Sequence, residues 1–371
     1  MKIQSLPYAA LVSGLLLLAA ALPAAAQGKE EAPDTPDQKP LTVLDKILDR
    51  VTFSGILQGG YSAGFGSVSP IGITMGNGAN DFSIHRLVFK VEAKVTDDLS
   101  LTYMSDLAGG YTNLEYYVEY TPVPEFGIVL GQKKVPFLMD NQISPAVHEL
   151  ISTMSFLSNY MVACNPSNPL NGAWSGRDLG VEIKGDLLGK IMSYRIGAYN
   201  GQGMNRRDLN KSKTLSGSLT IRPFGGLELQ GSFLSGKTVA VGDALFVKDR
   251  RRVTKGESYR MDRVAGGLAY KSERFGIRSE YIAGRDGNVL SDGVYATARV
   301  LLFKKLDLIG SYTYADFNKG GENHLSINNY VVGLQYKFLP KCRLSLEYNV
   351  MDPQGASNTN HMINTQLQFA F

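Results

Sequence analysis

The sequence predicts an all-β protein: a transmembrane antiparallel β-barrel of about sixteen strands, with a long loop folded into its lumen. Three observations support this prediction. After residue 50, apolar and polar residues alternate with a period of two, which is the period of a β-strand. The connections between these segments are short and long in turn, as in outer-membrane barrels. One connection, residues 135–176, is much longer than the others and rich in apolar side chains.

The N-terminus, residues 1–26, has the pattern of a secretory signal peptide. Lys2 supplies the positive charge, residues 9–22 form an apolar stretch, and the small residues before Gln27 form a cleavage site. The stretch is short for a membrane span, so a permanent anchor helix is the less favoured alternative. We therefore expect cleavage near Ala26 and a location in the outer membrane of a Gram-negative-type bacterium.

A periplasmic linker and a short helix are predicted between the signal peptide and the barrel, at residues 27–50. Residues 27–40 are rich in Pro, Glu, Asp and Lys, a composition typical of disordered segments. Apolar residues then recur at helical spacing up to Val51. We interpret this segment as a helix that caps the barrel. The alternative is a coiled-coil seam between protomers, for which the segment is too short.

The predicted barrel, residues 51–371, is built from strands with one apolar and one charged face. The second strand shows the pattern, with Leu87, Phe89, Val91 and Ala93 alternating with Arg86, Val88, Lys90 and Glu92. Charges in the middle of strands suit a wet lumen and disfavour a soluble β-sandwich, which would also alternate. A sheet in lipid must close, because open edges leave backbone groups unpaired. About sixteen strands enclose more space than side chains can fill, so an aqueous channel is expected.

The connections divide into two sets by length. The short turns and both termini are expected on the periplasmic side, and the long connections on the outside. Long connections are predicted at about residues 66–80, 107–112, 135–176, 200–212, 237–258, 285–291, 319–327 and 353–359.

The longest connection, residues 135–176, is expected to fold into the lumen as a constriction loop. A loop of this length inside a compact domain is usually functional. It contains Phe137, Leu138, Leu157 and Tyr160 among its many apolar residues, and these must pack against something. It contains no Lys or Arg; its titratable groups include Asp140, His148 and Glu149.

Four motifs follow one another in the middle part of the predicted barrel. They are GQKKVPF at residues 131–137, GRDLG at 176–180, GAYNGQG at 197–203 and RPFGGLEL at 222–229. This ordered set resembles the phosphate-selective porin O and P family over about residues 80–371. The resemblance implies a trimeric outer-membrane diffusion channel of about sixteen strands, whose third long loop folds into the pore.

The sequence departs from the family pattern at the constriction. Phosphate-selective members carry pore-lining lysines and arginines, some of them on the constriction loop, whereas residues 135–176 carry none. Lys133 also stands where the family usually has Phe. The ion specificity of the family therefore does not transfer to this chain through the resemblance.

Two sets of residues are candidates to line the pore. The first lies on the charged face of the strands, which is given by strand parity, the odd or even position of a residue in its strand. The second consists of titratable residues of the long loop. Lys133 and Lys134 face opposite ways in a regular strand, and Lys134 is favoured inside. The candidates are Arg86, Lys90, Arg195, Arg263, Arg278 and Arg299, the acids Glu119 and Glu182, and Lys134, Asp140, His148 and Glu149 at the loop. Opposed charges across a pore create a transverse field that favours polar solutes.

The predicted function is a passive outer-membrane porin, weakly selective, for small hydrophilic solutes and ions. The alternatives are a channel selective for phosphate or another anion and, less favoured, a barrel enzyme.

The four histidines show no metal-ligand spacing, no nucleophile motif stands near them, and no cofactor is expected. The net charge of +4 does not indicate nucleic acid. Expected partners are membrane lipid, lipopolysaccharide, small solutes or anions, and two further copies in a homotrimer. The basic run at residues 248–260 is interpreted as a solvated loop, with lipopolysaccharide contact or gathering of anions as alternatives.

Overall fold

The computed structural model describes residues 49–65, 80–162, 176–246, 251–319, 324–354 and 359–371. The predicted signal peptide and linker lie outside the described residues, as does most of the predicted short helix. Asp49 and Arg50, at the end of that helix prediction, form a turn before the first strand.

Within the described residues, sixteen antiparallel strands close into a barrel in which the first and last strands pair. This confirms the predicted fold class. The barrel strands are β1 (Val51–Phe65), β2 (Asn80–Lys94), β3 (Leu99–Asp106), β4 (Thr112–Val123), β5 (Phe126–Lys134), β6 (Arg177–Leu187), β7 (Met192–Tyr199), β8 (Thr214–Ile221), β9 (Leu227–Val239), β12 (Ser258–Lys271), β13 (Phe275–Asp286), β14 (Val289–Phe303), β15 (Leu306–Lys319), β16 (Leu325–Leu339), β17 (Cys342–Pro353) and β18 (Asn360–Ala370). A separate hairpin, β10 (Ala244–Phe246) and β11 (Arg251–Val253), lies between β9 and β12.

The seam between β1 and β18 closes through backbone hydrogen bonds down to the C-terminal residue. The amide of Phe371 donates to the carbonyl of Gly55 at 3.2 Å, and the amide of Gly55 donates back at 3.4 Å. A Cβ at position 55 would lie 2.6 Å from the Phe371 ring, so glycine makes room for this aromatic side chain. Phe371 is 65% exposed. No strand edge is left open at the seam.

The outer face of the wall is apolar, as period-two alternation predicts. Leu87, Leu101, Val118, Leu308 and Leu344 are all exposed, and each belongs to a different strand. Such a continuous apolar surface is unstable in water and matches the hydrocarbon layer of a membrane. Among the described residues, no helix is long and apolar enough to cross a membrane.

Two of the predicted long connections differ from the structure. Strand β13 ends at Asp286 and β14 begins at Val289, so the connection predicted at 285–291 is a tight hairpin turn. The turn consists of Gly287 and Asn288; Gly287 has a φ of 57°, and Gly-Asn between two strands is typical of such turns. The connection predicted at 237–258 is shorter than expected because β9 and β12 extend into it, and it contains the β10–β11 hairpin.

The described part of the long loop, residues 135–162, is called the inner segment below. It contains two short helices, α1 (Met139–Gln142) and α2 (Phe156–Met161). It hydrogen-bonds to Gln58 on β1, Ser232 on β9 and Gln335 on β16. A segment can reach these distant strands of a closed barrel only from within, so the inner segment occupies part of the lumen.

Candidate functional site

The apolar side of the inner segment packs against one side of the wall. Phe137, Leu138 and Leu157 are fully buried and share a cluster with inward-facing apolar residues of β9 and β12–β17. The ring of Tyr160 stacks on Phe317 with a centroid distance of 3.9 Å. Burial of this apolar surface fixes the position of the segment. The inner segment therefore fills the lumen beside β9 and β12–β17 and leaves space along the other strands.

Wall carboxylates hold the backbone of the inner segment. Glu280 on β13 accepts the amides of Met139 at 2.8 Å and Asp140 at 3.2 Å, which are the free N–H groups at the start of α1. Glu347 on β17 accepts the amide of Ile151 at 2.8 Å. Both carboxylates are almost fully buried. These three hydrogen bonds fasten the segment at two points.

Wall side chains also donate to carbonyl groups of the segment. The Pro145 carbonyl accepts from Gln58 on β1 and from Arg343 on β17, each at 3.2 Å. The Ala146 carbonyl accepts from Gln368 on β18 at 3.0 Å. The bend at residues 144–149 is therefore tied to the strands around the barrel seam. Such a network restricts the segment to one position.

The acids of the inner segment meet a single wall arginine. An Nη2 of Arg278 on β13 lies 2.9 Å from Asp140 and 3.0 Å from Glu149. Burial raises the pKa of Asp140, but the hydrogen bond from His148 and the charge of Arg278 outweigh it and hold this pKa below its usual range. Burial likewise raises the pKa of Glu149, and Arg278 and His148 reverse this effect. Both acids are therefore ionised and paired at neutral pH.

His148 has both ring nitrogens occupied. Its Nδ1 accepts the amide of Leu150 at 3.1 Å, and its Nε2 lies 2.9 Å from Asp140. This pattern assigns the proton to Nε2, where it donates to the carboxylate. His148 is fully buried. Within the described residues, no group of three or more His, Cys, Asp or Glu is arranged to hold a metal ion.

Four of the predicted pore-lining residues, Asp140, His148, Glu182 and Arg263, do not face open space, which corrects the sequence prediction. Asp140 and His148 are fully buried in the contact just described. Arg263 is 2% exposed and donates from one Nη2 to both carboxylate oxygens of Asp286, at 2.8 and 2.7 Å. Parity correctly predicts that the Arg263 side chain points inward. It cannot show that the apolar cluster covers it.

The open space lies between the inner segment and strands β1–β7. A cavity of about 650 Å³ is lined there by seven basic residues and three acidic ones. The basic residues are Arg86, Lys90, Lys133, Lys134, Arg177, Lys184 and Arg195, and the acidic ones are Asp106, Glu115 and Glu119. Five predicted candidates meet here: Arg86, Lys90, Glu119, Lys134 and Arg195. This cavity is smaller than the two other lumen cavities described below and is called the narrow cavity.

Acidic groups on this wall are paired with neighbouring cations. Glu115 lies 3.0 Å from Arg177, and Glu119 pairs with Lys184. Glu182, another predicted candidate, is 1% exposed. It accepts two hydrogen bonds from Arg195, at 2.8 and 3.0 Å, and one from the Tyr199 hydroxyl at 2.7 Å. These acids therefore hold the neighbouring cations in place, and much of their own negative charge is compensated.

Arg86 and Lys134 also bind neutral acceptors. Arg86 donates to Gln58 at 3.0 Å and to Thr153 of the inner segment at 2.9 Å. Lys134 donates to the carbonyl of Ile143, also in the inner segment, at 2.8 Å. These two cations therefore tie the inner segment to β2 and β5.

Sequence reasoning missed some of these cations. Lys184 has the same parity as Glu182 on β6, so the signal for an inward position was present. Lys133 was assigned outside, yet it lines the cavity together with Lys134. In the strand register Lys133 stands opposite Asp178 and has the parity of Val129, which is buried opposite Glu182. Parity from the first half of β5 therefore places Lys133 inside, and Lys134, at the end of the strand, reaches the cavity as well.

Two larger cavities, of about 730 and 980 Å³, lie toward the short turns. Arg299, Glu149 and Lys271 line both of them, and Arg278 lines the second. Arg299 pairs with Asp307 at 2.9 Å. The predicted candidates Glu149, Arg278 and Arg299 therefore lie at the periplasmic chambers of the lumen and not at the narrow cavity.

The motifs at residues 176–180 and 197–203 interlock on β6 and β7. The buried carboxylate of Asp178 accepts the amide of Gly201 at 2.6 Å and that of Leu179 at 2.8 Å. Gly201 has a φ of 77°, and a Cβ there would lie 2.5 Å from the hydroxyl of Thr214. Only glycine suits this conformation and this space. The motifs thus fix the wall on which Glu182 and Arg195 stand.

Comparison with known proteins agrees with this architecture. The profile of the family described as phosphate-selective porin O and P matches residues 57–371. No curated protein sequence matches the chain at a significant level.

Several solved outer-membrane structures share the fold. An anion-selective porin from Comamonas acidovorans is 11% identical, with a TM-score of 0.62 over 86% of this chain and 99% of that one. The trimer form of OmpT from Vibrio cholerae is 14% identical, with a TM-score of 0.56 over 86% and 99%. The outer-membrane channel DcaP of Acinetobacter baumannii is 14% identical, with a TM-score of 0.58 over 86% and 97%. At these identities the likeness shows the fold alone.

The family profile covers nearly the whole barrel, from β1 to the C-terminal residue. The closed wall, its apolar outer face and its charged lumen are the features that such a channel requires. The chain therefore belongs to the phosphate-selective porin O and P family and is an outer-membrane channel for passive diffusion.

Proposed function

We propose that this channel prefers small hydrophilic anions. The observation that carries the proposal is the lining of the narrow cavity, where seven basic residues stand against three acidic ones. Rings of Lys and Arg select anions because the fixed charge lowers the free energy of an anion in the pore and raises that of a cation. We place the solute path along this lining, because the inner segment packs against the wall on the other side of the lumen.

The same observation favours the anion-selective alternative over the weakly selective channel expected from the sequence. That expectation placed Asp140 and Glu149 opposite the wall cations across the gap. In the structure both acids are bound to Arg278, and Asp140 is fully buried. Arg278 thus compensates part of the negative charge of the inner segment, and neither acid lines the narrow cavity. The structural neighbour from Comamonas acidovorans is described as anion-selective.

The proposal is for hydrated anions in general and not for tight phosphate binding. A tight phosphate site needs several convergent donors around one desolvated anion. Here Arg177, Lys184 and Arg195 already bind carboxylates, and a cavity of about 650 Å³ holds many water molecules. Phosphate should therefore pass as chloride does, without blocking the chloride current at low concentration.

A planar-bilayer recording under a KCl gradient tests the proposal. The reversal potential should lie toward the chloride equilibrium potential. The double variant Arg86→Gln/Lys134→Gln should shift it toward zero, whereas Lys304→Gln, an exposed lysine at a short turn, should leave it unchanged. A cation-selective wild-type channel would refute the proposal. Block of the chloride current by micromolar phosphate would favour a dedicated phosphate site instead.

We also propose that the working form is a homotrimer, since a structural neighbour is described in a trimer form. Bilayer recordings should then show conductance in steps of three, and crosslinking should trap a species of three chains. A monomer by both measurements would contradict this proposal.

We further propose that the barrel is a channel and not an enzyme. His148 is the histidine nearest to the constriction, and it has no free nitrogen to act as a general base. Purified protein should not hydrolyse phospholipid or peptide substrates above the background. Turnover that is lost in a His148→Gln variant would contradict the proposal.

A further inference from the structure

A basic patch lies on the outside of the barrel, at the end where the long connections are. Lys237 on β9 stands opposite Arg260 on β12 in the strand register, and Asp262 stands opposite Arg285 on β13. The neighbouring residues of the same parity, Phe233 and Val264, are 37% and 58% exposed. Residues of the other parity, such as Arg263, are buried inside. The patch therefore faces away from the lumen.

One carboxylate organises the two guanidinium groups of the patch. Asp262 accepts hydrogen bonds from Arg260 at 2.8 Å and from Arg285 at 3.1 Å, and also from the Ser235 hydroxyl at 2.7 Å. The Arg260 and Arg285 side chains are still 57% and 49% exposed. Each guanidinium has five N–H donors, so most donors still point outward. Lys237 is exposed beside them, which leaves an excess of positive charge.

The connection between β7 and β8 extends the patch. Its Asn210 amide donates to the Lys237 carbonyl at 3.0 Å and to the Ser258 hydroxyl at 3.1 Å, which fixes the connection beside the strands. Lys211 and Lys213, close to Asn210 in the chain, are two further exposed basic residues. The one acidic residue of the connection, Asp208, pairs with Lys213. The whole patch then has five basic residues and two acidic ones.

An apolar band lies directly below the patch on the same face. Phe233, Val264 and Tyr281 are 37%, 58% and 54% exposed and follow the patch residues along β9, β12 and β13. A cationic cluster above an apolar, aromatic band matches a phosphorylated headgroup above acyl chains. A free anion would make no contact with the apolar band. A second barrel would bury an excess of cations without partners, which is costly.

We propose that this patch binds the phosphate groups of the outer-leaflet glycolipid, lipopolysaccharide. The inference rests on the outer-membrane location of the channel and not on its proposed ion selectivity. Arg260 and Arg285 supply paired donors to a phosphate oxygen, Lys237 supplies a third charge, and the apolar band receives the acyl chains. The patch lies outside the conducting path, so its loss should leave the single-channel conductance unchanged.

The test measures binding of lipid A to the purified detergent-solubilised protein. The triple variant Lys237→Gln/Arg260→Gln/Arg285→Gln removes the strand part of the patch. Its matched control is Lys94→Gln/Arg274→Gln/Lys304→Gln, which removes three exposed cations at the opposite end of the barrel. The triple variant should weaken binding by about 100-fold, and the control should bind as the wild type does. Heat-modifiable migration on gels should verify that both variants fold.

The probes separate the possible sources of the interaction. Lipid A without its phosphates should bind as weakly to the wild type as lipid A binds to the triple variant. Equal binding of both lipids, or equal loss in the control variant, would overturn the proposal.

Displacement of lipid A by inorganic phosphate at similar concentration would overturn it as well and would assign the patch to free anions. Dissociation of the oligomer in the triple variant without lipid would assign it to a second copy. Absence of channel current in the wild type would refute the proposed function but would leave this test intact.

Discussion

Arg278 lies at the contact between the wall and the inner segment, where it binds Asp140 and Glu149. Glu280, two residues later on the same face of β13, accepts the first amides of α1. One strand thus supplies a cation for the acidic side chains and hydrogen-bond acceptors for the backbone N–H groups. This complementary pair explains how a loop without Lys or Arg can be held by a highly charged wall.

Replacement of Arg278 tests this contact at the level of one residue. In Arg278→Gln, Asp140 becomes a buried carboxylate without its cation, which costs about 3–5 kcal/mol. We expect the inner segment to detach, with a noisier current and a shift of the reversal potential toward cations. The control is Arg222→Gln, whose exposed pair with Glu228 contributes about 0–1 kcal/mol. A quiet, unshifted current in Arg278→Gln would show that Asp140 tolerates the loss.

Phe371 tests the seam of the barrel. Its backbone closes the last pair with Gly55, and its side chain is exposed on the outer face. An acidic group on the lipid face is costly by an amount that depends on depth, so Phe371→Asp should lower the yield of inserted barrel in a folding assay. Phe303→Asp, at an equally exposed aromatic away from the seam, should lower the yield less. Normal assembly of Phe371→Asp would contradict the lipid-facing assignment.

The inner segment is the element that sets the shape of the channel. Leu138, just before α1, has a φ of 65° and is fully buried. A bulky residue in this conformation is strained by about 1–3 kcal/mol, and such strain persists only where the surroundings enforce it. The apolar cluster and the bonds to Glu280 enforce it here. The segment is therefore held rigidly and is not a freely moving lid.

Shortening the loop tests its role as a constriction. Removal of the residues between Asn141 and Asn171 should raise the single-channel conductance, because the space beside β9 and β12–β17 would become open to water. The wall strands do not depend on the loop for their hydrogen bonds, so the barrel should still form and remain heat-modifiable. If conductance stays at the wild-type level in a folded variant, the inner segment does not limit the current.

At the scale of the whole molecule, the closed wall determines the resistance to unfolding in detergent. Every barrel strand pairs on both sides, and on the detergent-covered face no water competes for these hydrogen bonds. We therefore expect the unboiled protein to migrate faster on gels than the boiled protein, and its far-ultraviolet circular dichroism to show β-structure. Identical migration before and after boiling, or a strongly helical spectrum, would contradict the closed barrel.

The sequence by itself determines the wall. Whether a side chain points into the lumen or into lipid depends on the parity of its position in a strand, which is a local property, and residues such as Leu87, Arg86 and Lys90 follow it. Errors arise at a strand end, where the neighbouring residues Lys133 and Lys134 both reach the cavity, or where a turn signal such as Gly287-Asn288 is overlooked. The apolar character of the long loop also predicts that it packs inside.

Only the tertiary structure decides which inward-facing charges meet water. Arg263 and Arg86 have the same signature in the sequence, yet one lies beneath an apolar cluster and the other lines the narrow cavity. The difference depends on the side toward which the inner segment leans. Contacts between residues far apart in the chain set that side, such as Met139 with Glu280, 141 positions away. Periodicity carries no information on such pairings, because they arise from the shapes and charges of surfaces that exist only after the barrel has closed.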